Sequence, residues 1–292
     1  MKPEHGTRTF STRKHAQGHW DTSVSITSNS VARGLLSYMS YKRKGVDALA
    51  RAMGAQTPGF VFDAGAGKGA YAAWFLSRKK TTIIAIDWSF DALRVLCAPR
   101  QGRIIPVCAD LQMLPFKSAV ADALYSIDTL GHVDDCAMAL DEFLRVCKPA
   151  SPLFIHSECS DYRSRWPDKA LIAKLHKDLP AEYDGHVSLH RSEELYTLYC
   201  RRFHVKSFVN PAGYFGWLLG YPEKYRMAFA AANFAPMTFI TSIFAMLKKL
   251  PLIGICVRCL NAFTNHCEVF FGLNGGGSCF AALKKPDQDL PD

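Results

Sequence analysis

The sequence predicts an α/β protein: a seven-stranded, mostly parallel sheet with helices on both faces, a helical cover at the N-terminus and a helical insertion before the last strand. Three observations predict it. Short apolar runs of strand length alternate with segments of helical period between residues 60 and 156. The first run, Phe60-Val61-Phe62-Asp63, breaks into a glycine-rich turn that opens a helix. An acid closes each of the first four runs, at Asp63, Asp87, Asp110 and Asp128.

The elements follow in order. Residues 1–57 form a polar tail and the helical cover. Within them Leu35, Met39, Val46, Leu49, Ala50 and Met53 recur near helical spacing, and Gly54 and Pro58 stop the pattern. Residues 58–210 form the core. Its strands are expected at 60–63, Thr82–Asp87, Ile104–Asp110 (with Pro106 as an irregularity), Ala121–Asp128 and Leu153–His156, with helices over Ala70–Arg78 and Phe90–Cys97. Asp134 or Asp135 caps a further helix, in which Leu140, Phe143, Leu144 and Cys147 share one face. Parallel strands joined this way need right-handed helical crossovers. A charged helix at 169–177, a helix Ser192–Arg202 and a strand Val205–Asn210 complete the core. Residues 211–275 are helical and strongly apolar, an insertion that reads as a lid, and 276–292 hold the last strand, Ser278–Leu283, and a tail.

Composition bounds the function. The chain has 292 residues, 49 % hydrophobic and 21 % charged, which excludes a disordered or collagen-like chain. Lys and Arg number 35 against 26 acids, a formal charge of +9. These charges are scattered, with no run of five or six and no basic stripe interleaved with aromatics, which argues against nucleic acid as a partner. Ten cysteines without an apolar leader after Met1 predict reduced thiols in a cytoplasmic protein. Cys256-x-x-Cys259 with His266-Cys267 has zinc-like spacing, but it lies in an apolar helical segment, so buried thiols are expected there and no metal. Met227–Leu247 carries no charge. Asn233 and Pro236 interrupt it, so three readings stand: buried lid helices, a peripheral membrane contact through 227–257, or a span.

The glycine turn is a ligand motif. Glycine tolerates positive φ and close approach of a ligand, and the helix behind the turn offers free N–H groups. Gly65-x-Gly67-x-x-Ala70, with Asp87 following, also fits the Rossmann-like dinucleotide fingerprint. Asp63 discriminates, because a carboxylate there repels a pyrophosphate and attracts a cationic amino group. Carboxyl ends of parallel strands converge on one crevice, so the acids at their ends face a ligand with hydroxyls, an exocyclic amine and positive charge. That profile fits S-adenosylmethionine (SAM) better than NAD. Each acid also has a plainer reading as a helix cap or surface carboxylate.

The segment Phe60-Val61-Phe62-Asp63-Ala64-Gly65-Ala66-Gly67-Lys68-Gly69 resembles motif I of class I SAM-dependent methyltransferases. The likeness continues through Ile86-Asp87, Ala109-Asp110-Leu111, Leu114-Pro115-Phe116, Ser126 to Val133 and Glu142 to Pro149. It covers roughly 58–160 and is similar to the small-molecule group that includes the ubiquinone and menaquinone methyltransferases. Pro149-Ala150-Ser151-Pro152 departs from the Pro-Gly-Gly usual in the family. The resemblance implies that Asp63, Ala64, Gly65, Ala66 and Gly67 hold the methionine part of SAM. It places Asp87 on the ribose, Trp88 over the adenine, Asp110 and Leu111 at the adenine edge and face, and Asp128 and Thr129 beneath the sulfonium.

The expected reaction is direct displacement on the activated methyl by a small acceptor with an apolar portion, with oxygen favoured over carbon, nitrogen or sulfur. His132, His156 and His186 are the candidate bases. Tyr214 and Trp217 are candidates for shaping the acceptor pocket. An NAD(P)-dependent oxidoreductase and a non-catalytic binding or membrane-docking module are the alternatives.

Overall fold

The computed structural model describes residues 41–54, 59–97, 103–209, 216–270 and 278–284. The tail up to residue 40, with Leu35 and Met39, lies outside the described residues, as do Tyr214 and residues 285–292.

Helix α1 (Tyr41–Ala52) precedes strand β1 (Phe60–Ala64), helix α2 (Ala72–Leu76), β2 (Thr82–Asp87), α3 (Phe90–Cys97) and β3 (Ile104–Cys108). Next come β4 (Ala123–Ile127), α4 (Cys136–Val146) and β5 (Pro152–Glu158). Helices α5 (Asp168–Leu175), α6 (Leu179–Asp184) and α7 (Ser192–Cys200) lead to β6 (His204–Val209). Four helices then intervene, α8 (Gly216–Leu219), α9 (Pro222–Ala231), α10 (Ala235–Lys249) and α11 (Pro251–Phe270), before β7 (Ser278–Lys284).

The sheet order is β3-β2-β1-β4-β5-β7-β6. Parallel pairing is confined to the five strands β3 to β5; β7 lies antiparallel between β5 and β6. The five-strand block sends alternate side chains to opposite faces, and both faces are covered. Val61, Ile83, Ala85 and Tyr125 pack with Val46 and Leu49 of α1, Phe75 of α2 and Leu93 and Leu96 of α3. Phe62, Ile84, Ile86 and Leu124 pack with Leu140, Phe143 and Val146 of α4 and Leu195 and Tyr199 of α7. This two-sided burial is why these strands read as continuous apolar runs rather than as alternating ones.

Helix α1 lies close against the sheet because residue 45 is glycine. A Cβ there would stand 2.0 Å from the Phe154 ring of β5. That approach brings Lys42, one turn earlier, to the carboxyl ends of the strands. At α4, Asp135 is the cap: its carboxylate accepts from the backbone N–H of Ala137 and Met138.

The charge-free stretch 227–247 is not one helix. Asn233 adopts a left-handed conformation at φ 53°, with Pro236 two residues into the next helix, and the chain divides there into α9 and α10. Tyr225, Ala228, Phe229 and Ala232 form a small core of their own with Leu171 of α5. The Tyr225 hydroxyl donates to both oxygens of the buried Asp168, at 2.8 and 3.0 Å, and so anchors α9 to the core.

Candidate active site at the strand ends

A chain of hydrogen bonds ties the carboxyl ends of the parallel strands together. The N–H groups of Gly65 and Ala66 donate to the Ile86 carbonyl at 2.8 and 2.9 Å, which folds the glycine turn onto β2. Gly67 N–H donates to Asp87 Oδ2 at 2.7 Å, and Ser89 N–H to Asp87 Oδ1 at 2.9 Å. Ala109 N–H donates to the Asp87 carbonyl at 3.1 Å, adding β3. Thr129 Oγ1 donates to the Ala64 carbonyl at 3.3 Å, adding β4, and Asp128 N–H donates to the His156 carbonyl at 3.0 Å, adding β5. The predicted cofactor residues therefore stand along one rim.

The turn requires glycine at residue 65. Its φ is 84°, and a Cβ would fall 2.1 Å from Thr129 Oγ1. Asp63, at the end of β1, is only 4 % exposed. Burial, augmented by the neighbouring Asp87 charge, pushes its pKa up to about 7, while the hydrogen bond from Tyr125 works the other way. Asp110 accepts from the backbone and side chain of Gln112, Leu111 beside it is buried, and Trp88 is partly exposed after β2.

A second group of charges sits at the β4 and β5 ends. Asp128 adopts φ 56°, and its carboxylate accepts from the Lys42 ammonium and lies 2.7 Å from His156 Nδ1. Burial alone would raise this acid, but Lys42 and then His156 outweigh it and hold the Asp128 pKa well below the usual carboxylate range. The Lys42 charge also acts on Tyr71, Tyr221 and Glu158. His156 is 2 % exposed.

His132 and His186 stack on each other, centroids 4.7 Å apart, and His186 Nε2 lies 3.9 Å from Glu158 Oε2. His132 Nδ1 is 3.2 Å from the Gly185 carbonyl. A carbonyl only accepts, so Nδ1 carries the proton and Nε2 keeps its lone pair. Burial, with His186 second, lowers the His132 pKa.

Sequence reasoning missed Lys42 and Tyr125, and it saw Glu142 and Arg145 only as motif residues without a role. Arg145 forks onto Glu142 at 2.7 and 2.8 Å and donates to the carbonyls of Phe116 and Leu114, while Leu114 N–H donates to Glu142 at 2.6 Å. Motif residues that resemble a family signature thus act as a clip, fixing the 110–116 loop on α4. In the zinc-like spacing the thiols are not the buried ones expected, since Cys256 is exposed and Cys259 and Cys267 are half-buried, and His266 stacks on Tyr41 at 4.4 Å and meets Lys44 Nζ at 2.9 Å. Among the described residues no group of three or more His, Cys, Asp or Glu is placed to hold a metal ion.

Residues 62–155, from β1 to β5, match the family model described as a methyltransferase domain. An O-methyltransferase, resE, of Aspergillus sclerotiorum is 34 % identical over 80 residues, which make up 27 % of this chain and 30 % of that protein. The chain thus matches less than a third of that relative's length. Among solved structures, a geranyl diphosphate C-methyltransferase from Streptomyces coelicolor A3(2), in complex with Mg2+, geranyl diphosphate and S-adenosyl-L-homocysteine, superposes with a TM-score of 0.54 at 11 % identity. That superposition covers 95 % of this chain and 100 % of that one. The [4+2]-cyclase SpnF superposes at 0.51 with 17 % identity, covering 84 % and 81 %. At these identities the likeness is one of fold. Residues 62–155, which carry the motif-bearing strand ends, match a methyltransferase domain, and the chain shares the α/β fold of these solved structures.

Proposed function

We propose that the protein binds SAM at the β1–β3 rim and methylates a small acceptor with a sizeable apolar part, most naturally at oxygen. The observation that carries this reading is Asp63, a carboxylate buried beside a glycine turn whose hydrogen bond comes from a neutral phenol. Such a site favours a cationic partner and disfavours a pyrophosphate. Asp87 accepts from the Gly67 and Ser89 amides, one on each oxygen, and so stands at the turn where the ribose hydroxyls would lie. Asp110 and Leu111 would meet the adenine.

When bound, SAM supplies an electrophilic methyl group. The chain's own residues then orient an acceptor, exclude water and take up a proton. His132 suits the last task. Burial lowers its pKa and so favours the neutral ring, its tautomer is set by the Gly185 carbonyl, and its buried Nε2 would take up the proton of an acceptor hydroxyl that opens a path to it. His156, buried against Asp128, acts as a positioning residue for that carboxylate, and Lys42 compensates the Asp128 charge. His186 and Glu158 buttress the His132 ring. The apolar helices α9 to α11 between β6 and β7 support an acceptor with an apolar portion, as does the fold likeness to an enzyme of geranyl diphosphate.

Calorimetric titration with SAM, S-adenosylhomocysteine and NADH tests the cofactor. Binding of the first two without NADH is expected, and Asp63→Ala should abolish it. Binding of NADH alone would overturn the reading and restore the oxidoreductase alternative.

A further inference from the structure

We propose that the α10–α11 hairpin is a docking surface for an anionic lipid bilayer, lying in its interface rather than crossing it. Along α10, Phe239, Ile243, Met246 and Leu250 are exposed at i, i+4, i+7 and i+11, a single stripe on one helix face. Along α11, Ile253, Cys256, Leu260, Phe263 and Phe270 repeat the pattern. On α10 the opposite face, with Thr241 and Ala245, is buried against the protein, and on α11 Val257 is buried beside the stripe. Between the two helices Leu252 is 78 % exposed. Exposed apolar surface of this extent marks an interaction site rather than ordinary surface scatter.

Geometry and charge select the partner. Among the described residues no single helix is long and apolar enough to cross a membrane, and α10 and α11 are bent by 115° relative to each other. A bent pair with one apolar face each fits insertion to the depth of the headgroup and acyl boundary. The stretch 222–270 holds five basic residues, Lys224, Arg226, Lys248, Lys249 and Arg258, against Glu223 and Glu268. Arg226 and Lys249 are exposed, and Lys44, also exposed, flanks α11 through His266. Lys249 pairs with Glu223 at 3.0 Å in an exposed contact that opens at little cost. Lys224 and Lys248 are engaged by Asp184 and the Gly220 carbonyl, so the exposed cations Arg226, Lys249 and Lys44 are the ones left to meet an anionic headgroup layer, and in a chain of net charge +9 they oppose apposition of a second copy.

Flotation of the full-length protein with phosphatidylcholine vesicles, with and without about 30 % phosphatidylserine, tests the proposal. Co-flotation with the anionic vesicles and loss of binding at high salt are expected. The exposed-site variant Phe239→Ser, Leu252→Ser, Phe263→Ser should bind at least about 100-fold more weakly. Arg226→Gln with Lys249→Gln should cost about 30-fold at low salt, since each cation near the surface contributes about fivefold. Circular dichroism of both variants should match the parent. Three outcomes overturn the proposal: no flotation of the parent, equal flotation with neutral vesicles, or equal flotation of the serine variant. A dimer seen by light scattering and broken by the serine substitutions would also overturn it, identifying a second copy as the occupant. SAM binding is unaffected in any of these cases, so the docking surface and the cofactor site fail separately.

Discussion

Tyr125 and Asp63 face each other across β4 and β1 as register partners, and the Tyr125 hydroxyl donates to Asp63 Oδ2 at 2.9 Å. The phenol is fully buried and its own pKa is driven well above the usual tyrosine value, by burial first and then by the Asp63 charge. It therefore stays a donor at every working pH. A neutral donor only partly offsets the burial of the carboxylate, and the acid ends near 7.

Cofactor affinity should consequently depend on pH through Asp63. An unfolded aspartate titrates near 4, so the folded state holds the proton more tightly between about 4 and 7. Stability from this group is greatest below pH about 4 and falls as pH rises to 7. A cationic ligand reverses that penalty by favouring the ionised form. SAM affinity should therefore rise with pH up to about 7 and level off above it, with a limiting slope of about tenfold per pH unit on the acid side. Titration calorimetry between pH 5 and 8 checks this; Asp63→Asn should flatten the profile at weak affinity. Tyr125→Phe removes the one interaction that lowers the acid and should move the profile to higher pH.

Substitution of Gly65 should be disruptive out of proportion to its size. Gly65→Ala places a methyl group in the Thr129 side chain at a positive φ. The turn must move, and with it the amides that close onto Ile86. A loss of about 2 kcal/mol or more in stability is expected, with SAM binding lost in calorimetry. Gly67→Ala meets no atom within 4 Å, and only its φ of 49° opposes it, so its thermal shift should be smaller.

The strands and the glycine turn were legible because two-sided burial leaves continuous apolar runs and because the acids fall at their ends. The placement of β7 between β5 and β6 was not, since short antiparallel and parallel strands carry no distinguishing period. Lys42 was equally hidden. Its contact with Asp128 spans 86 residues and depends on Gly45 letting α1 approach Phe154, which no local pattern encodes. Glu142 and Arg145 were visible only as signature residues, and their partners are backbone atoms of a distant loop.

That clip predicts a linked loss of stability and affinity. Arg145→Met removes a forked ion pair and leaves the carbonyls of Leu114 and Phe116 without this donor. Because the pair is only partly shielded from solvent, a cost of about 1–3 kcal/mol is expected by denaturant titration. The loop that carries Asp110 and Leu111 loosens with it, so SAM affinity should fall although residue 145 itself lies outside the proposed cofactor rim.

His132 gives the last prediction. Burial and His186 hold its pKa below the ordinary histidine range, so the neutral imidazole should persist to lower pH than usual. Turnover on a lipophilic hydroxyl acceptor, found by screening phenols and alcohols, should fall off in acid only at a lower pH than an ordinary histidine base would give. His132→Ala should reduce kcat by about 100-fold or more while leaving the SAM Kd unchanged, because the ring meets His186 and the Gly185 carbonyl rather than the glycine turn. NMR titration of the His132 ring gives an independent check that needs no acceptor. A midpoint above neutral pH would show the imidazole mostly charged under working conditions and would remove it as the base.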